Sequence, residues 1–125
     1  MIGSTVITAR YAPYARVLGR SFLEHHPGAR FTVLVADDVE GTVEVDGGFE
    51  ALRPSDVGID DAELHRRAVM YDGQGLTCSM KPALLRHLVD RGEDAALLLD
   101  ADSRVYGDLE PLAELARRHS TVMTP

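Results

Sequence analysis

Residues 95–102, with the sequence AALLLDAD, decide the fold of this chain and mark its first candidate site. The apolar run at 95–99 is long enough for a buried strand and too short for a membrane span. Because side chains alternate along a strand, Asp100 and Asp102 are predicted to leave the sheet as neighbouring carboxylates. Such carboxylates repel each other and resist burial unless a cation joins them. Their hard oxygen atoms suit Mg²⁺ or Mn²⁺, so the stretch predicts a site for a metal and a diphosphate.

The composition bounds the class of protein and its partners. The chain has 125 residues, which is enough for one domain with a core of its own. Its net charge of −7 argues against nucleic acid as the main partner, because binding to a phosphate backbone requires a basic face. An acidic protein that binds an anionic nucleotide needs a metal or a local cation to offset the repulsion. Lys81 is the only lysine in the chain, which makes it a candidate functional residue.

The cysteine content and the first residues of the chain bear on its expected location. Because Cys78 is the only cysteine, no internal disulfide is possible. No Cys-His-Asn pattern surrounds it, so a small buried thiol is predicted rather than a nucleophile. The first residues carry no signal-peptide pattern, and no stretch approaches the ~20 apolar residues of a transmembrane segment. A cytoplasmic location is therefore expected.

Strands and helices are predicted to alternate along the chain. Strands are expected over residues 5–9, 31–35, 49–52, 95–99 and 121–124, and helices over 13–26, 60–70, 79–91 and 111–118. In the third helix, Ser79 is the expected cap and Pro82 lies in the first turn, so residues 73–75 are left as a loop. This alternation implies an α/β fold, with an open, mostly parallel, Rossmann-like sheet and helices on both faces. Ligands of such sheets gather at the carboxyl ends of the strands.

Two other groups of polar residues have simpler interpretations. Asp37 and Asp38 follow the second strand and are interpreted as loop or capping acids. His25 and His26 are adjacent on a helix, where side chains diverge by ~100° and cannot easily share a metal. For these histidines the favoured interpretation is positive charge at the helix C-terminus.

Several segments together carry a family resemblance. They are LTCSMK at residues 76–81, the helix that follows it, and LLDADSRVYGDL at 98–109. The opening strand TVITA at 5–9, Tyr11, and the helix that contains VLGRS at 17–21 add to them. These segments span nearly the whole chain and resemble the nucleotide-sugar half of GT-A glycosyltransferases. The likeness is greatest to glycogenin-like and lipopolysaccharide galactosyltransferase-like enzymes.

The resemblance implies roles at the phosphate end of a donor site. Asp102 matches the carboxylate that grips Mn²⁺ or Mg²⁺, and Asp100 matches the one that shares the metal and contacts the ribose. The backbone of Ala101 would lie beside the ribose. Lys81 matches the cation that touches the phosphate or sugar of the donor.

The resemblance also implies a base pocket and a reaction. Tyr11 matches an aromatic residue that stacks on uracil, and Thr8 and Ala9 would line the pocket. The donor would be a nucleoside-diphosphate sugar, most often a UDP-sugar, and the activity that of a hexosyltransferase-like glycosyltransferase. The acceptor is not implied by any motif.

The resemblance predicts one domain over residues 1–125, a nucleotide-sugar-binding domain without the usual C-terminal acceptor half. In the family, that later part supplies the acceptor site and usually a histidine that completes the metal shell. None of the five histidines of this chain stands at that place. A non-catalytic remnant that holds nucleotide and metal, or a subunit that needs another chain for transfer, is the alternative function. An exposed edge strand would favour self-association or a partner chain.

Overall fold

The computed structural model describes residues 1–45 and 47–123. Its strands are β1 (Ile2–Ile7), β2 (Arg30–Val35), β3 (Glu50–Leu52) and β4 (Ala96–Leu98), and its α-helices are α1 (Ala12–His25), α2 (Asp61–Met70), α3 (Gly73–Asp90) and α4 (Glu110–Arg118). Short 3₁₀ helices at Ala9–Tyr11 and Pro54–Val57 follow β1 and β3. No helix within the described ranges is long and apolar enough to cross a membrane.

The strands form one parallel sheet in the order β3-β2-β1-β4. β1 lies in the middle, is buried along its whole length, and pairs with β2 from Ile2 to Ile7. Only its first half pairs with β4, where Ser4 lies opposite Leu98. The predicted α/β fold with an open parallel sheet is confirmed.

Alternate residues of the strands build a core on each face of this sheet. On β2, Leu34 belongs to one apolar cluster, whereas Val33 and Val35 belong to the other. The first cluster is covered by α3 side chains spaced four residues apart, Leu76, Met80, Leu84 and Leu88, and the second by Ala15, Leu18 and Phe22 of α1. Helices therefore lie on both faces of the sheet, as the sequence predicts.

The third helix begins six residues earlier than the sequence indicates. α3 starts at Gly73, and its cap is Asp72, whose carboxylate accepts a hydrogen bond from the amide of Gly75 at 2.7 Å. The predicted loop at 73–75 and the predicted Ser79 cap are therefore wrong, and Pro82 lies inside the helix. The early start adds Leu76 to the buried face of α3. That burial offsets the low helix propensity of two glycines and the hydrogen bond that Pro82 cannot make.

The predicted fifth strand is the other correction to the fold. Residues 121–123 have no strand structure, and Thr124 lies outside the described residues. Val122 and Met123 are exposed. Their apolar, β-prone character is not enough to make a strand, because strand propensity expresses packing on a partially buried sheet surface.

Candidate functional site

An open cavity of about 820 Å³ lies at the carboxyl ends of the strands. The loops after β1, β2 and β4 and the first half of α3 form its walls. It is lined by Val6, Ile7, Thr8, Arg10, Tyr11, Asp37, Asp72, Gly73, Gln74, Thr77, Cys78, Lys81, Asp100, Ala101 and Asp102. The parallel register explains this convergence, because it brings the carboxyl ends of neighbouring strands to one edge of the sheet.

Six of the seven site residues predicted from the sequence line this cavity: Thr8, Tyr11, Lys81, Asp100, Ala101 and Asp102. The seventh, Ala9, does not line it and packs against the α1 core. The backbone amide of Ala9 donates a hydrogen bond to Asp37 Oδ1 at 2.7 Å. That bond joins the residues that follow β1 and β2, so Ala9 helps to fix the position of Asp37, which lines the cavity.

Lys81 and Asp100 form an ion pair inside the cavity. Lys81 Nζ lies 2.7 Å from Asp100 Oδ1, with the lysine side chain 30% exposed and the aspartate 69% exposed. The hydrogen bond to Asp100 raises the pKa of Lys81, so the ammonium stays charged throughout the neutral range. The single lysine of the chain therefore offsets part of the negative charge on this wall.

Asp100 and Asp102 stand on a turn directly after β4, where the amide of Ser103 donates to the carbonyl of Asp100 at 3.0 Å. Both side chains are exposed. Within residues 1–45 and 47–123, no group of three or more His, Cys, Asp or Glu side chains is arranged to hold a metal ion. Mg²⁺ sites commonly use one or two carboxylates and take their remaining ligands from phosphates and water. The pair therefore fits a cation that binds together with a diphosphate.

Arg10 also lines the cavity, although no sequence motif indicated it. Its guanidinium carbon lies 5.3 Å from the centre of the Tyr11 ring, and Tyr14 contacts the same ring at 5.4 Å between centroids. No carboxylate pairs with Arg10 among the residues described. Arg10 is thus a cation on the rim that can meet an anion.

The first turn of α3 is a second feature that the sequence did not reveal. Gly73 and Gln74 line the cavity, and the first amides of an α-helix have no partner within the helix. The positive end of the helix dipole therefore opens onto this wall. The signal that would have located it is Asp72 three residues before Gly75, a side-chain cap in front of a glycine pair.

Cys78 lies on the cavity surface, and Asp38 lies in the loop after β2. Cys78 is exposed and lines the cavity, so the predicted buried thiol is wrong. Leu76 and Met80 take the buried side of α3, which turns Cys78 outward. Asp38 is a loop acid, as predicted, and its carboxylate accepts hydrogen bonds from the amides of three loop residues, Gly41, Thr42 and Val43.

Comparison with solved structures identifies the fold that carries this cavity. Two structures of the galactosyltransferase LgtC are similar to the chain, one of an active-site mutant and one in complex with donor and acceptor sugar analogues. Each has a TM-score of 0.55 and 24% sequence identity, over 90% of this chain. The chain has a GT-A-like fold. It spans 41% of the LgtC chain, and no protein-family model and no curated protein matches it.

Proposed function

We propose that this chain binds a nucleoside-diphosphate sugar, in particular a UDP-sugar, together with Mn²⁺ or Mg²⁺, as the donor-binding part of a glycosyltransferase. The observation that carries the proposal is the convergence of Asp100, Asp102 and Lys81 in one cavity at the carboxyl edge of a GT-A-like sheet. Its volume of about 820 Å³ falls in the usual range for small-molecule sites.

The charges in the cavity support a diphosphate bound with a cation. Asp100 and Asp102 would hold the cation through hard oxygen atoms, with the remaining ligands from phosphate and water. When bound, the cation neutralises the negative charge that develops on the departing nucleoside diphosphate. Lys81 and Arg10 add positive potential on the surrounding walls, and the amides of Gly73 and Gln74 can donate hydrogen bonds to phosphate. These groups offset the repulsion between an anionic donor and an acidic chain.

The part of the cavity around Tyr11 suits a base. Tyr11 is 37% exposed, and Arg10 and Tyr14 contact its ring. An aromatic face of this kind offers stacking to a planar heterocycle. Thr8 lies next to it and can hydrogen-bond to the edge of the base.

A binding module without transfer activity is the second candidate. It is favoured by the metal site, since the described residues include no group of three His, Cys, Asp or Glu side chains around a metal position. Release of free sugar or UDP from a UDP-sugar would support a transferase, whereas tight binding without turnover would support a binding module.

Calorimetric titration of UDP tests the donor site directly. We expect binding in the presence of Mn²⁺, loss of most of that binding in EDTA, and loss of the Mn²⁺ dependence in Asp102→Asn. Asp90→Asn is the matched control, because Asp90 is the last residue of α3, at the opposite end from the cavity. Tight Mn²⁺-dependent binding by Asp102→Asn would contradict the assignment, and absence of binding by the folded wild type would overturn the proposal.

A further inference from the structure

Ser21, a buried residue of α1, holds the segment that follows the Asp100–Asp102 pair. Its hydroxyl oxygen accepts a hydrogen bond from the backbone amide of Val105 at 3.0 Å. The same hydroxyl donates to the carbonyl of Leu18 at 2.8 Å, which fixes its orientation. Ser21 is 3% exposed, so water has little access to replace this bond.

His26 makes a second contact of the same kind at the end of α1. Its Nδ1–H donates to the carbonyl of Phe22 at 2.7 Å, and its Nε2 accepts from the backbone amide of Leu109 at 2.8 Å. The two ring nitrogens thus contact the backbone at two places, and Asp108 Oδ1 lies 3.3 Å from the same Nε2. The ring is 6% exposed and stacks on Phe22 with 4.5 Å between centroids. The interpretation of His26 as positive charge at the helix end stays a prediction.

The segment needs such support because the sheet ends before it. The last backbone hydrogen bond between this strand and β1 runs from the amide of Leu99 to the carbonyl of Ser4. Residues 100–109 then have neither strand nor helix structure. Among the described residues, the hydrogen bonds from backbone amides of 100–109 to distant parts of the chain are those of Val105 to Ser21 and Leu109 to His26.

We propose that Ser21 and His26 are positioning residues for the Asp100–Asp102 pair. They anchor residues 103–109 to α1, whose Phe22 is fully buried in the core against the sheet. The carboxylate pair is thereby held from both sides, by β4 before it and by α1 after it. Its importance for ligand binding rests on the proposed donor site, because small displacements of metal-holding carboxylates weaken the site.

Ser21→Ala and His26→Leu remove one anchor each with little change in volume. We expect faster amide hydrogen exchange at Val105 or Leu109, respectively, together with shifted amide NMR signals of Ala101 and Asp102. The affinity for UDP with Mn²⁺ should fall about tenfold, the scale of one buried hydrogen bond, while the affinity for uridine stays unchanged. His26→Gln keeps an acceptor for Leu109 and should recover most of the loss.

Thr32→Val is the matched control, because Thr32 is also fully buried and its hydroxyl donates to Glu50 at 3.1 Å. Glu50 lies on β3, the edge strand opposite β4. It should leave UDP affinity and the signals of Ala101 and Asp102 unchanged. Faster exchange with unchanged UDP affinity would overturn the positioning role. If the wild type binds no UDP, the proposed function fails separately. The amide NMR signals of Ala101 and Asp102 then test the positioning role on their own. If they stay unchanged in both Ser21→Ala and His26→Leu, the positioning role is overturned.

Discussion

At the scale of the single residue, Lys81 has opposing effects on the binding of a metal and the binding of a diphosphate. Its ammonium donates a hydrogen bond to Asp100 Oδ1, an oxygen that a metal would use. The same charge would attract the diphosphate of a donor. Lys81 therefore competes with a metal that binds alone and assists a metal that binds with nucleotide.

Lys81→Met separates these two effects. We expect Mn²⁺ alone to bind up to about fivefold more tightly, since a partly exposed ion pair contributes up to about 1 kcal/mol. UDP at saturating Mn²⁺ should bind about tenfold more weakly, because a charge-assisted hydrogen bond is lost. Titration calorimetry measures both affinities. Arg86→Met, a change on the exposed face of the same helix, is the control, and parallel changes in both affinities for Lys81→Met would contradict this account.

Cys78 offers a test of the site that requires no mutation of the binding residues. It is the only thiol of the chain, it is exposed, and it lines the cavity beside Thr77. A maleimide should react with it readily, and UDP with Mn²⁺ should slow that reaction at least about tenfold by covering the thiol. Mass spectrometry measures the rate. UDP in EDTA should give no protection, and undiminished UDP binding by the labelled protein would place the ligand elsewhere.

At the scale of the element, the conformation of the loop after β2 depends on hydrogen bonds to Asp38. Burial raises the pKa of this carboxyl, but hydrogen bonds from the amides of Val43, Thr42 and Gly41 outweigh burial and lower it below the ordinary value of 3.8. A carboxyl whose pKa is depressed by folding stabilises the fold above its unfolded pKa. That stabilisation is lost as the pH falls through the lower, folded value.

Asp38→Asn should therefore destabilise the protein in a pH-dependent way. Asparagine has one acceptor oxygen in place of two and loses the bond from Val43, so we expect a cost of about 1.5–2 kcal/mol at pH 7. The difference from wild type should shrink as the pH falls below 3.8. Urea unfolding at several pH values measures it. Glu40→Gln, an exposed change in the same loop, should have little effect, and a pH-independent cost would exclude the carboxylate charge as the cause.

The sequence predicts elements whose signals are local. The apolar run at 95–99 predicts β4, and Asp100 and Asp102, which follow it, both line the cavity. The start of α3 was missed because two glycines and an interior proline imitate a loop and a first turn, while tertiary burial of Leu76 decides the outcome. Arg10 belongs to no recognisable sequence motif, so its place in the cavity could not be predicted. The bond between Ser21 and Val105 joins residues 84 positions apart, which no local pattern encodes.

At the scale of the whole molecule, the cavity depends on both cores. The loop after β1 packs with the α1 cluster, whereas Lys81 and Cys78 are presented by α3, which covers the opposite face. β1, buried throughout, joins the two clusters. A ligand that spans the cavity therefore contacts elements from both faces, and its binding should stabilise the sheet with both helix layers as one cooperative unit.

Thermal unfolding measures this coupling. Ligand at 100 times its dissociation constant stabilises the folded state by about 2.7 kcal/mol. The unfolding entropy of a 125-residue chain is about 0.26 kcal/mol/K, so UDP with Mn²⁺ should raise the Tm by about 10 °C in a single transition. Calorimetry with Mn²⁺ alone, and with UDP in EDTA, provides the controls and should show much smaller shifts. A second transition that does not move with ligand would mean that the two faces unfold independently and that the cavity belongs to only one of them.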